Sequence, residues 1–167
     1  MFEHSHIAGI VHKWSDAYNL KPEVVAAMIV QESSGNPVAA REEPGFYNRY
    51  IKDKPLNGYV PTKVTLPSEK RLRSFSFGLM QLMGNTAREL GLKNEFLFVL
   101  FDPDINISLG CKLLKQLLDK QPLHLGEMER YRKALLAYNG GGDPDYPDKV
   151  FGRIQKKEHL LFLKVTT

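Results

Sequence analysis

The segment Val24-Val25-Ala26-Ala27-Met28-Ile29-Val30-Gln31-Glu32-Ser33-Ser34-Gly35-Asn36-Pro37 runs an apolar helix directly into a carboxylate and then stops. Val25, Met28 and Ile29 recur at helical spacing, and Val24, Ala26, Ala27 and Val30 leave little room for a solvated face, so this helix belongs inside a core. Pro22 suits its first turn and Gly35-Asn36-Pro37 supplies the stop, which places Glu32 at a helix end opening onto a loop. A carboxyl there loses solvation and faces the negative end of the helix dipole, and both effects favour the neutral acid. Proton donors that work near neutral pH are built in this way. Read alone, Glu32 is equally well a surface glutamate near a helix terminus.

Working outward, Ile7, Ile10, Val11, Trp14 and Tyr18 predict a preceding helix over 7–18, turned back by Asn19-Leu20-Lys21-Pro22, as in an antiparallel bundle. From Val38 to Ser74 the texture changes: four prolines and the aromatics Phe46, Tyr47, Tyr50 and Tyr59 describe a long ordered excursion. Within it Arg41 to Tyr50 reads as a short helix, and Tyr59 to Leu66 has the only composition suited to a small hairpin. Helical texture returns with a cap at Asn85 or Thr86 and a stop at Gly91, then from Asp102-Pro103 to about Lys120, then over 127–138 up to Asn139-Gly140-Gly141-Gly142, and finally over 146–163. The chain carries no internal repeats.

At 167 residues and 43% hydrophobic content, the chain suits one globular domain over 1–167. The net charge of +4 favours a polyanionic partner such as a cell-wall polymer, nucleic acid or an anionic lipid surface. Its basic groups, Lys70-Arg71-Leu72-Arg73 and Lys156-Lys157, are short and read as solvated faces; no nucleic-acid motif accompanies them. A single cysteine, Cys111, excludes an internal disulfide, and its apolar neighbours make it a buried small hydrophobe. No His-x-x-x-His spacing occurs, so no metal is expected. The longest apolar run, Phe96 to Phe101, is too short to span a bilayer. Met1-Phe2-Glu3-His4 lacks the start of a secretory signal, which suits a phage-borne enzyme, one delivered by a secretion apparatus, or a trimmed chain.

Three short blocks set polar groups beside apolar ones: Glu32-Ser33, Gly78-Leu79-Met80-Gln81, and Ala137-Tyr138-Asn139-Gly140-Gly141. With Asn36-Pro37, Thr86-Ala87, Leu90-Gly91, Asp102-Pro103, Asn106 and Gly110 between them in order, the chain resembles the soluble lytic transglycosylase family, the lysozyme-like enzymes that cleave the glycan of bacterial peptidoglycan. The resemblance covers most of the chain apart from an inserted stretch of about 42–74. It implies a mainly α, lysozyme-like helical domain whose long inserted loop has room for the small hairpin, acting as a monomer on peptidoglycan glycan strands in the periplasm or cell wall.

The resemblance further implies that Glu32 is the sole catalytic acid and base, cleaving the bond between N-acetylmuramic acid and N-acetylglucosamine with a 1,6-anhydro product. It casts Ser33, Met80, Gln81, Tyr138, Asn139 and Tyr146 as substrate-binding residues. Ser33 would meet the sugar or Glu32, or only cap the helix; Gln81 would offer its amide and Met80 an apolar wall to a sugar face. Tyr138 would bring its hydroxyl near Glu32, and Asn139 would bind sugar or shape the turn. Tyr146 matches the family's late tyrosine, although the preceding Pro144-Asp145 departs from the usual acidic-threonine pair. The insertion is the larger departure. It adds Glu42, Glu43 and Asp53, and Glu43 placed across the cleft, roughly 6.5–9.5 Å from Glu32, would make the enzyme a water-using muramidase instead. Otherwise Glu42 and Glu43 pair with Arg41 or Arg49. A catalytically idle wall-binding module is the remaining alternative.

Overall fold

A computed structural model describes residues 4–94 and 96–164. Met1-Phe2-Glu3, part of the signal-sequence reading, lies outside the described residues. The chain begins with α1 (His4–Ala17) and α2 (Pro22–Ser33). Every residue from Val24 to Val30 is at most 9% exposed, so α2 is interior on all sides until its last turn. Around it pack α1, α8 (Tyr146–Gln155) and a closing 3₁₀ turn (Glu158–Phe162). The final helical segment therefore divides: Lys157 takes a left-handed conformation (φ 61°) and separates α8 from the last turn. That turn brings Phe162 against Gly35, where any Cβ would collide with the ring.

The small sheet lies elsewhere than the sequence predicts. Its strands are β1 (Ala40–Glu42), β2 (Phe75–Phe77) and β3 (Leu82–Met83), antiparallel in that order, with Arg41 opposite Ser76 and Ser76 opposite Met83. Residues 59–66 form no strand: Arg73 donates to the carbonyls of Asn57 (2.8 Å) and Tyr59 (2.6 Å), groups a hairpin ladder would have needed. Arg41 is likewise in a strand, and helix starts only at Pro44, with the single turn α3 (Pro44–Phe46) and a wide turn (Tyr47–Ile51) closed by a Lys52 N–H to Tyr47 carbonyl bond of 2.9 Å. Next come α4 (Leu66–Arg73), capped by Thr65, and α5 (Gly84–Glu89). The latter starts one residue before Asn85 and carries no side-chain cap, so neither Asn85 nor Thr86 serves as one.

Helix α6 (Pro103–Asp119), capped by the Asp102 carboxylate, joins two cores, with a 3₁₀ turn (Leu97–Phe101) before it and α7 (Glu127–Tyr138) after it. One face of α6, with Ile107, Cys111, Leu114 and Leu118, completes the larger core of α1, α2, α7 and α8. The opposite face, with Ile105, Leu109 and Leu113, packs on a smaller core of Phe77, Leu82, Ala87, Leu90, Leu97 and Leu100. Cys111 is fully buried, and burial pushes its thiol up to about 12, leaving it inert.

The smaller core carries an ionic centre that the sequence does not announce. Glu69 is fully buried and accepts from Arg73 at 2.9 Å and from Arg88 at 2.8 Å, both buried as well. Arg73 is thus no part of a solvated basic face. Further guanidinium N–H groups donate to backbone carbonyls, Asn57 and Tyr59 from Arg73, Leu92 and Asn94 from Arg88. Buried charges persist only when their hydrogen-bonding capacity is met in this way.

Candidate active site

Glu32 stands where α2 ends. Ser34 turns left-handed (φ 53°), its N–H bonded back to Val30 at 3.1 Å, and the reversal leaves Glu32 half-buried at the rim of a cleft. Burial raises its carboxyl above the ordinary glutamate range; a hydrogen bond from Tyr146 and the charge of Arg41 pull it partway back. The Tyr146 hydroxyl donates to Oε1 of Glu32 at 2.5 Å. That phenol is only 3% exposed at the first turn of α8, and burial together with the adjacent Glu32 pushes it far up, so it stays a donor.

The turn from Gly78 to Gln81, between β2 and β3, builds the floor. Asn106, fully buried on α6, holds it with all three contacts an amide can make here: Nδ2 donates to the carbonyls of Phe77 (2.8 Å) and Leu100 (2.9 Å), and Oδ1 accepts from Met80 N–H (2.8 Å). Gly78 is obligatory in that cradle: its φ is +69°, and a Cβ would lie 2.5 Å from Asn106 Nδ2 and 2.6 Å from the Leu100 carbonyl. Gly110 is needed for a different reason, because a Cβ there would run into the Met80 sulfur.

These contacts reassign several of the expected roles. Met80 is fully buried against Gly110 in the larger core, so it supports the floor and offers no wall to a sugar. Ser33 Oγ donates to the carbonyls of Leu79 (2.9 Å) and Ile29 (3.2 Å), tying the end of α2 to the floor. Burial, with the nearby Glu32 carboxylate, raises the Tyr138 phenol well above the usual range, and its hydroxyl donates to the Met80 carbonyl at 3.0 Å. Gln81 Nε2 donates to Gly78 and Ala39 carbonyls at 3.0 and 3.2 Å, while Asn139 Oδ1 accepts from Asp143 N–H at 2.9 Å and shapes the turn after α7. Glu43 accepts from Arg41 Nε at 2.6 Å, and Glu42 pairs with Arg71 at 2.6 Å.

Glu32, Glu43, Gln81, Tyr138 and Asn139 all line one cleft of about 640 Å³, within the range of small-molecule sites. Residues not anticipated from sequence join them. The row Arg41, Ser76, Met83 crosses the sheet in register and faces the cleft, and Arg41 is the cation that acts on Glu32. The strand that carries Arg41, Ala40–Glu42, is too short to read from sequence. Leu113 and Leu117 of α6 add an apolar side.

The site is thus one half-buried carboxyl at the rim of a cleft in a helical domain. A family model described as "Transglycosylase SLT domain" matches residues 9–150, and the chain belongs to that family. It is similar to a protein named "Transglycosylase" from Enterobacteria phage PRD1, 32% identical over 156 residues, covering 89% of this chain and 41% of the relative. It is also similar to a "Membrane-bound lytic murein transglycosylase F" from Cronobacter sakazakii (strain ATCC BAA-894), 42% identical over 64 residues, covering 38% of this chain and 11% of the relative. The chain therefore spans less than half the length of these curated relatives. No solved structure matches significantly. Among the described residues, no helix is long and apolar enough to cross a membrane.

Proposed function

We propose that this chain is a peptidoglycan lytic transglycosylase acting in the cell wall, with Glu32 as its only catalytic carboxyl. The observation that carries the reading is the pairing of a half-buried acid, raised by desolvation, with a buried tyrosine donor at the rim of the cleft. Burial favours the acid form of Glu32, which gives its proton to the oxygen linking N-acetylmuramic acid to N-acetylglucosamine. As that C1–O bond breaks, the acetamido group of the muramic residue stabilises the developing cation. The glutamate, now anionic, is stabilised by the Tyr146 hydrogen bond and the charge of Arg41. It takes the proton of the muramic C6 hydroxyl while O6 bonds to C1, closing the 1,6-anhydro ring. Glu32 returns to its acid form, no water is consumed, and no metal or organic cofactor enters.

Supporting this over the water-using muramidase, Glu43 already binds Arg41 at 2.6 Å instead of standing free as a base. Mass spectrometry of digested peptidoglycan tests the choice. Anhydro-muramic ends from the native chain, absent with Glu32→Gln, are expected. Products heavier by one water, lost in Glu43→Gln, would transfer the chemistry to a glutamate pair. Unchanged glycan in the presence of native protein would leave a wall-binding module.

A further inference from the structure

The insertion does more than border the cleft. A second pocket, about 300 Å³, opens between the 46–57 segment and α5, and it shares Phe46, Tyr50, Thr86 and Glu89 with the catalytic cleft. The two spaces therefore adjoin, with those four residues between them. The four aromatics of the insertion part company here. Tyr47 is covered by the Arg71 guanidinium at 3.9 Å, and Tyr59 packs with Arg88 at 5.2 Å; both hold the loop. Phe46 and Tyr50, with ring centroids 5.1 Å apart, stand at the junction of the pockets, and Tyr50 remains 46% exposed, with the Arg49 and Lys54 cations over its ring at 5.2 and 5.5 Å, side chains that a stacking sugar would displace.

We propose that this side pocket is a distal subsite for an N-acetylated sugar of the same glycan strand, with Tyr50 as its stacking platform. The inference rests on the glycan-cleaving reading for the identity of the ligand. Aromatic faces suit the C–H face of a pyranose, while Asn57, Asn85 and Thr86 offer amide and hydroxyl partners for its hydroxyl and acetamido groups. The volume suits a sugar unit more than a second polymer chain. The pocket is also built to hold its width. Glu69 bridges Arg88, which belongs to the α5 wall, and Arg73, whose bond to the Asn57 carbonyl fixes the opposite wall. Such a preformed site binds without first having to order a loop.

The test uses the Glu32→Gln chain, chitin oligosaccharides of three and six units, and isothermal titration calorimetry. The hexasaccharide is expected to bind more tightly than the trisaccharide, and Tyr50→Ala to cut that ratio about tenfold. Tyr50→Phe, which keeps the ring, is expected to retain most of it. Thermal melts of both variants confirm that they fold. An unchanged ratio in Tyr50→Ala, or a hexasaccharide no tighter than the trisaccharide, overturns the proposal. So does a length-independent gain seen only with murein fragments that carry stem peptides, which would give the pocket to the peptide. Failure of the lytic reading shows up separately: native protein would release no anhydro ends while the Tyr50-dependent hexasaccharide gain persisted.

Discussion

Tyr146 donates its phenolic proton to Oε1 of Glu32 at 2.5 Å, across 114 positions of chain, and so couples the start of α8 to the end of α2. The bond favours the carboxylate while burial favours the acid. The proposed role, acid in one step and base in the next, calls for both influences.

Removing the donor should show the balance. Tyr146→Phe takes away the larger of the two influences that lower the Glu32 carboxyl, so its pKa rises further and the acid persists to higher pH. The alkaline limb of the kcat/KM profile is expected to move upward. The rate at the optimum should fall roughly ten- to 100-fold, the worth of a hydrogen bond to a charged group. A pH series on purified peptidoglycan measures both.

Glu32→Gln should abolish proton transfer, with a loss of about 10²–10⁴-fold or more in turnover, yet stabilise the fold at neutral pH. The folded-state pKa is raised, so the native protein binds the proton more tightly than the unfolded chain. Glu32 then contributes fully below the ordinary glutamate value, and the contribution is lost as pH rises through the raised one. The variant should melt above the native protein at pH 7, with the gap closing towards pH 4. Melting curves by circular dichroism across that range provide the check.

Asn106→Asp should be nearly as damaging as Asn106→Leu. A carboxylate keeps the bond from Met80 N–H but has no proton for the carbonyls of Phe77 and Leu100, and it buries a charge. Either variant is expected to lose about 3 kcal/mol or more in urea unfolding. Activity should fall as well, since the floor that Ser33 and Tyr138 both bond is carried by this amide.

Glu69→Gln leaves two buried guanidinium groups without their carboxylate. A loss of about 3–5 kcal/mol is expected, read by chemical denaturation. The damage should centre on the smaller core, with hydrogen exchange increasing first around residues 57–59 and in α5.

What was legible from sequence is what short-range physics controls. The unbroken apolar run from Val24 to Val30, with Pro22 before it and Gly35 after it, can bury itself only as an interior helix, and Glu32 follows at its end. The Asp102 cap and the stop after Tyr138 are local in the same sense. The small sheet was not legible, because its strands are two or three residues long and β1 pairs with β2 across more than thirty positions of chain. For the same reason only the tertiary structure could show Met80 beneath the floor, Arg41 beside Glu32, Tyr146 on its carboxyl and Glu69 between two arginines. Each depends on which distant carbonyl, charge or empty volume the folded chain brings near, and hydrogen bonds among them act only within about 3 Å.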